Sequence, residues 1–137
     1  MEVDFAQIFQ RERDPLCVAD GTVLFEIGDA ADAVYVVLEG AVELWVGERC
    51  LWVFGVGEIV GEVAMLDGGP RCARAVIRGA SRLVKLDEKR LSFLLRETPY
   101  FAPRLMQLMA LRLREIARRA AAGESGLVLE AQTSAVD

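Results

Sequence analysis

The chain has 137 residues, of which 53 % are hydrophobic and 27 % are charged, and this composition is that of one soluble globular domain rather than a disordered chain. It contains no histidine, which excludes imidazole general bases, histidine-bound zinc or iron, and Ser-His or Cys-His nucleophile pairs. The formal net charge of −5 disfavours non-specific nucleic-acid binding by the whole surface.

The three cysteines, Cys17, Cys50 and Cys72, form no CxxC pair and are odd in number. The N-terminus is acidic and has no secretory signal, so we expect reduced thiols in a cytoplasmic protein. No apolar run reaches about 18 residues, and no transmembrane segment is therefore expected.

Residues 1–14 predict a short amphipathic N-terminal helix, because Phe5, Ile8 and Phe9 precede Pro15 at helical spacing. Residues 15–87 alternate short apolar runs with glycines, and ten of the twelve glycines of the chain fall in this region. Many short strands with turn signals at this spacing predict an antiparallel sandwich or barrel. The predicted strands are Thr22–Ile27, Val34–Glu39, Ala41–Val46, Cys50–Phe54, Cys72–Arg78 and Arg82–Leu86. Trp45 and Trp52 are expected to be core or cross-strand residues of a hairpin.

Residues 88–122 predict two helices. Asp87 can cap the first, which runs to about Glu97 before Thr98-Pro99 breaks it. The second begins near Tyr100 and runs to about Ala122, where Gly123 ends it. Residues 123–137 lack clear periodicity and are expected to form a flexible tail.

The last predicted helix has an apolar stripe and a basic face. The stripe is expected to pack against the strands. It contains Leu105, Leu108, Met109 and Ile116. The basic face is expected to be solvated, with an acidic partner, an anionic membrane surface or a bound phosphate as alternatives. It contains Arg104, Arg112, Arg114, Arg118 and Arg119.

The segment from Gly57 to Ala73 carries the chemistry. It predicts a strand, a glycine, one helical turn from Glu62, a glycine-rich turn and then Arg71 entering a strand. The start of a short helix exposes unpaired backbone N–H groups that favour an anion, and the guanidinium of Arg71 can bind a phosphate through two parallel hydrogen bonds. A carboxylate beside that arginine suits a ribose hydroxyl, so the segment predicts a site for a nucleoside monophosphate, preferably a cyclic one.

This segment resembles the phosphate-binding cassette of cyclic nucleotide-binding domains, the family of catabolite activator proteins and protein kinase regulatory subunits. Two stretches, Gly61-Glu62-Val63-Ala64 and Pro70-Arg71-Cys72-Ala73, match the cassette. The segment from Gly28-Asp29 to Val42 resembles the hairpin motif of the family. The resemblance covers about residues 16 to 117. It implies a mainly β fold, an antiparallel double-stranded β-helix (jelly roll), with a short N-terminal helix and two C-terminal helices.

The resemblance implies a non-enzymatic cyclic nucleotide sensor that takes cyclic AMP or cyclic GMP and needs no metal or other cofactor. By this resemblance, Arg71 contacts the phosphate and Glu62 contacts the ribose. The ligand-binding residues it implies are Gly61, Glu62, Val63, Ala64, Arg71, Cys72 and Ala73. The candidates for capping the base on the last helix are Leu105, Leu108, Met109 and Arg112. A homodimer through this helix and an unidentified effector protein are the implied partners.

The sequence departs from the family pattern at Cys72 and in the helical region before Pro15, which is shorter than in many members. The residue after the arginine is usually Ala, Ser or Thr, and Cys72 here leaves the base preference open. Only fifteen residues follow Ala122, so we expect no DNA-binding domain in this chain. One alternative is an interaction or dimerisation module that has kept the roll and works without nucleotide. Another is a β-barrel metalloenzyme of the cupin type, which the absence of histidine disfavours.

Overall fold

The computed structural model describes residues 4–124. Within them the chain forms a mainly antiparallel β structure flanked by helices. The elements in chain order are a 3₁₀ turn (Ala6–Phe9), β1 (Leu16–Val18), β2 (Val23–Phe25), β3 (Ala33–Val46), β4 (Arg49–Phe54), β5 (Ile59–Val60), α1 (Glu62–Asp67), β6 (Arg74–Asp87), α2 (Glu88–Glu97), α3 (Phe101–Arg119) and a final π-helical turn (Ala120–Glu124). This arrangement confirms the predicted fold class. Of the predicted tail, residues 125–137 lie outside the described residues.

The two long strands β3 and β6 form the spine of the roll. They pair antiparallel from Ala33 opposite Asp87 to Trp45 opposite Arg74. The short strands β1 and β2 pair with β6, whereas β4 and β5 pair with β3, and every one of these pairings is antiparallel. β4 and β5 therefore both lie along β3, and α1 follows directly after β5.

The strands predicted as four separate runs are two continuous ones. The expected break at Gly40 is a bend inside β3, where glycine takes a φ of 85° and a side chain would collide with Ser81. The expected break near Gly79 is likewise a bend inside β6, with a φ of 74°. Glycine permits such a φ at little cost, so the ladder can kink without ending. The apolar runs in the sequence therefore do not show whether the glycine between two of them forms a bend within one strand or a turn between two strands.

Two groups of apolar side chains form the core. One lies inside the roll, around residues such as Tyr35, Val37 and Ile77. The other lies between the roll and the helices, where the rings of Phe5 and Phe101 meet edge to face with centroids 5.4 Å apart. The second group buries the N-terminal half of α3, whereas Arg112 and Arg119 of its C-terminal half donate to backbone carbonyls of β5 and β4.

The helix boundaries follow local signals. The Asp87 carboxylate accepts a hydrogen bond from the Arg90 backbone N–H at 2.8 Å, which confirms the predicted cap of α2. The regular part of α3 ends at Arg119, earlier than the predicted Ala122. A wider turn follows, in which Gly123 takes a φ of 87°. The N-terminal segment is a single 3₁₀ turn that buries Phe9.

Candidate functional site

A cavity of about 210 Å³ lies between the turn from β5 into α1, the strand β4 and the C-terminal half of α3. All seven cassette residues predicted from the sequence line it. Its charged lining residues are Glu62, Arg71 and Arg112. The rest of its lining is mostly apolar, so the cavity combines a few charged groups with apolar side chains.

Gly61 makes room for the arginine of the cassette. Its φ of 87° lies in the left-handed region, which glycine adopts far more readily than other residues. A Cβ at this position would lie 2.5 Å from Nη1 of Arg71. The glycine that precedes α1 therefore serves the approach of the guanidinium as well as the turn.

Arg71 is buried, with 3 % of its surface exposed. Its Nη1 donates to the Gly61 carbonyl at 2.8 Å, and its Nη2 donates to the Ala33 carbonyl. Its guanidinium carbon lies 4.1 Å from the centroid of the Phe25 ring. Its Nε has no hydrogen-bond partner among the described residues. A buried donor without a partner is costly, so Arg71 keeps unsatisfied hydrogen-bonding capacity in the wall of the cavity.

Burial also alters proton affinities around Arg71. Burial lowers the pKa of Arg71, and the neighbouring Tyr35, Asp32, Cys72 and Glu62 act against this shift. Arginine starts from so high a value that the guanidinium stays a cation near neutral pH. Burial, followed by the charge of Asp32, raises the pKa of Tyr35, which therefore stays a neutral phenol.

Glu62 is buried and paired with an arginine of α3. Its Oε1 accepts a hydrogen bond from Nη1 of Arg112, fifty residues further along the chain. Arg112 also donates through Nη2 to the Ile59 carbonyl at 2.5 Å, and its guanidinium carbon lies 4.6 Å from the centroid of the Phe54 ring. Its Nε, like that of Arg71, is buried and has no partner among the described residues. The sequence predicted Glu62 and Arg112 separately, and the structure brings them into one ion pair.

The charges of the cavity lining do not cancel. Two guanidinium groups face one carboxylate, which leaves one net positive charge. A buried site favours a ligand whose charge balances its own. The cavity lining therefore favours an anion over a neutral or cationic ligand.

Two of the four residues predicted to cap a base do line the cavity. Met109 and Arg112 are among its lining residues. Leu105 and Leu108 are not, which corrects the prediction: both are buried in the core group between α3 and the roll. They face the core because this part of the apolar stripe packs against the roll and so holds α3 in place.

Several lining residues were not predicted as part of the site. Trp52 and Phe54 alternate along β4 and share one side of the strand, and Leu44 pairs with Trp52 across the hairpin. The two-residue spacing of Trp52 and Phe54 indicated that they share one face of β4, but it does not show which part of the molecule that face contacts. The prediction that Trp52 is a cross-strand residue is confirmed.

The basic face of α3 is only partly solvated, contrary to the sequence-based expectation. Arg104, Arg114 and Arg118 are exposed. Arg112 and Arg119 instead turn onto the roll, where Arg119 donates to the Leu51 carbonyl at 2.6 Å. Helical spacing places these residues on α3 but does not show which of them reach another element.

Cys72 lines the cavity as a half-buried thiol. Burial is the largest influence on it and raises its pKa, so the thiol stays neutral and is a poor nucleophile. Cys17 and Cys50 are exposed free thiols. In residues 4–124 no cluster of three or more cysteine or acidic side chains is arranged to hold a metal ion. No helix in the same range is both long and apolar enough to cross a membrane.

Comparison with known proteins places this geometry in context. The family model of the cyclic nucleotide-binding domain matches residues 16–98. The cyclic AMP receptor protein of Thermus thermophilus is 39 % identical over 120 residues, which cover 83 % of this chain and 54 % of that protein. The chain therefore spans about half the length of this curated relative.

Solved structures agree with the sequence comparison. The crystal structure of the Thermus thermophilus catabolite activator protein matches with a TM-score of 0.71 at 32 % identity, covering 80 % of this chain and 54 % of that one. The cyclic-AMP-bound form of the EAL enzyme Bd1971 matches with a TM-score of 0.58 at 25 % identity, covering 82 % of this chain and 30 % of that one.

Proposed function

We propose, from the premise that the chain belongs to the cyclic nucleotide-binding domain family and is a cyclic nucleotide sensor domain, that it binds its nucleotide in the cavity between α1, β4 and α3. The observation that carries this proposal is the guanidinium of Arg71. It is buried at the cavity, fastened by two backbone carbonyls, and keeps one donor without a partner. Such a group stabilises an anionic oxygen more than any neutral ligand.

The phosphate lies against Arg71 in this proposal. The guanidinium of Arg71 donates to an equatorial phosphate oxygen, and the backbone N–H groups in the first turn of α1, those of Val63 and Ala64 among them, face the same anion. A cyclic phosphodiester carries one negative charge and balances the net charge of the cavity. A 5′-monophosphate carries nearly two and would leave a buried excess charge.

The ribose lies against the ion pair of Glu62 and Arg112. The carboxylate has a second oxygen that can accept from the ribose 2′-hydroxyl while the first stays bonded to Arg112. Because Arg112 comes from α3, a ribose that orders Glu62 also favours the docked position of α3. This gives the ligand different affinities for a docked and an undocked helix, which a sensor requires.

The base lies against the apolar lining of the cavity, where we infer a preference for cyclic AMP over cyclic GMP. Guanine carries a 2-amino donor and an O6 acceptor, whereas adenine has fewer groups to satisfy. Cys72 supplies only a weak thiol donor there, so the additional polar groups of guanine would lack partners. Met109 caps the base from α3 together with the apolar stem of Arg112.

The signal passes through α3 to a second copy of the chain or to an effector protein. Met106 and Leu113 lie two helical turns apart on α3, and each is 65 % exposed. Large apolar side chains at this spacing favour a helix–helix interface. The same exposed pair favours the second candidate, an interaction module that works without nucleotide. A cytoplasmic location stays a prediction, as does the absence of catalysis by the chain.

Titration calorimetry of the chain with cyclic AMP, cyclic GMP and 5′-AMP tests the proposal. We expect the tightest binding for cyclic AMP, and binding of 5′-AMP weaker by at least about tenfold because of its excess charge. Binding of none of the three at millimolar concentration would contradict the proposal. If light scattering then showed a stable dimer, the interaction module would become the better account.

A further inference from the structure

Two aromatic rings of β4 lie side by side in the lining of the cavity. Trp52 and Phe54 both line it, and their rings are nearly parallel, with centroids 6.3 Å apart and an interplanar angle of 23°. Leu44 and Ile116 also line the cavity. The charged groups Arg71 and Glu62, to which we assign the phosphate and the ribose, line the same cavity.

Each of these rings is covered by an arginine of α3. The guanidinium carbon of Arg112 lies 4.6 Å from the centroid of Phe54, and that of Arg119 lies 4.8 Å from the centroid of Trp52. The two arginines are seven residues apart, which is about two helical turns and places them on one side of α3. Each of the two rings is therefore held in place by a side chain of α3.

Arg119 is itself fixed by three contacts. It donates through Nη1 to the Leu51 carbonyl at 2.6 Å and through Nε to Glu115 at 3.2 Å, in addition to its stacking on Trp52. Hydrogen bonds from Arg118 chiefly, and from Arg119, lower the pKa of Glu115 to about 2, so this carboxylate is ionised near neutral pH. A guanidinium held in a fixed plane restricts the ring beneath it.

We propose that Trp52 contacts the purine base from β4 and that Arg119 is a positioning residue for its ring. This inference rests on the proposed binding of a cyclic nucleotide in the cavity. Bases stack on aromatic side chains through their π faces, with a contribution that is worth about tenfold in affinity per ring. Part of the affinity for the base would then come from a residue of β4. Because Arg119 of α3 stacks on that residue, binding of the base would also depend on the docking of α3.

Two ligands separate a base contact from a general loss of binding. One is cyclic AMP, and the other is the methyl glycoside of ribose 3′,5′-cyclic phosphate, which keeps the sugar and the phosphate and has no base. In Trp52→Leu we expect the affinity for cyclic AMP to fall about tenfold and that for the base-free ligand to stay within about twofold. Trp45→Leu is the matched control, since Trp45 lies on the neighbouring strand outside the cavity lining, and it should leave both affinities unchanged.

The outcomes distinguish this inference from the proposed function. Equal losses for both ligands, or no loss for either, would overturn the role of Trp52 while leaving cyclic nucleotide binding in place. Binding of neither ligand by the unaltered chain would overturn the proposed function, and this inference with it.

Fluorescence gives a second measurement that does not depend on removing the ring. In Trp45→Phe, Trp52 is the remaining tryptophan of the chain. Cyclic AMP should change its emission with the midpoint found by calorimetry, whereas the base-free ligand at saturation should change it little. Adding Arg119→Gln should shift the emission of the free protein and weaken cyclic AMP binding by about threefold to tenfold. An emission that cyclic AMP does not alter would overturn the contact, and one that Arg119→Gln does not alter would overturn the positioning role.

Discussion

Arg71 and Arg112 line the same cavity but are held by different parts of the molecule. Arg71 belongs to the roll and is fastened to two backbone carbonyls of the roll, those of Gly61 and Ala33. Arg112 belongs to α3 and reaches across to a side chain, Glu62, and to the Ile59 carbonyl. The proposed phosphate contact is therefore held by the β structure, whereas the proposed ribose contact includes a residue of α3.

In the proposed binding mode, the two regions contribute differently to ligand binding. A group fixed by backbone carbonyls loses little conformational entropy when a ligand binds, so the roll supplies affinity. A group that arrives on a separate helix makes affinity depend on the helix position, so α3 supplies the response. Substitutions in the two regions should consequently change different measurements.

The largest effect is expected from Arg71→Gln. It removes the buried cation of the proposed phosphate contact, and we expect the affinity for cyclic AMP to fall by about 100-fold or more, measured by calorimetry. Arg114→Gln, on the exposed part of α3, is the control and should bind as the unaltered chain does. A change of less than about threefold in Arg71→Gln, with the fold retained by circular dichroism, would contradict the assignment of the phosphate contact.

A second substitution tests whether the roll fixes Arg71. Gly61→Ala forces a side chain into a left-handed conformation and brings its Cβ within 2.5 Å of the guanidinium. We expect the free energy of unfolding to fall by about 1–3 kcal/mol, together with a loss of nucleotide affinity.

Gly21→Ala is the matched control for that experiment. Gly21 has a similar φ of 81°, but nothing lies within 4 Å of the added Cβ. It should lose stability by a comparable amount in urea denaturation and keep its nucleotide affinity. If both variants bound cyclic AMP equally well, the close approach at Gly61 would have no part in binding.

Glu62→Gln tests the link between the ribose and α3. The amide keeps an acceptor for Arg112 and loses the charge, so the cavity gains one positive charge. We expect cyclic AMP to bind about tenfold more weakly, and 5′-AMP to lose less, because the added positive charge favours the doubly charged ligand. Calorimetry with both ligands checks this. Equal losses for the two ligands would show that the charge balance of the cavity does not select the cyclic phosphate.

The smallest effect concerns the thiols. A raised pKa leaves a smaller thiolate fraction at a given pH, so near pH 8 iodoacetamide should alkylate Cys72 about tenfold more slowly than Cys17 and Cys50. Saturating cyclic AMP should slow Cys72 further and leave the two exposed thiols unchanged, as followed by mass spectrometry of peptides. Equal protection of all three thiols would point to a general change of the fold instead of occupation of the cavity.

Part of this structure could be predicted because its signals are local. Asp87 caps α2 through the N–H of Arg90, three residues away, and glycine spacing showed a series of strands. The continuity of β3 through Gly40 could not be predicted, since a glycine with positive φ serves a turn and a bend equally well. The packing of Leu105 and Leu108 against the roll was predicted, but the sequence also made them base-capping candidates, because helical spacing does not show which residues of the stripe reach the cavity.

The sequence by itself determined the cassette, because Gly61, Glu62 and Arg71 lie within eleven consecutive residues and their chemistry follows from their order. Only the tertiary structure decided that Arg112 pairs with Glu62 and that Arg119 covers Trp52. These partners are separated by fifty or more residues of chain, and several arginines of α3 have the same local pattern. Which of them turns inward depends on how the apolar stripe of α3 packs against the roll, because that packing sets the rotation of the helix over the cavity.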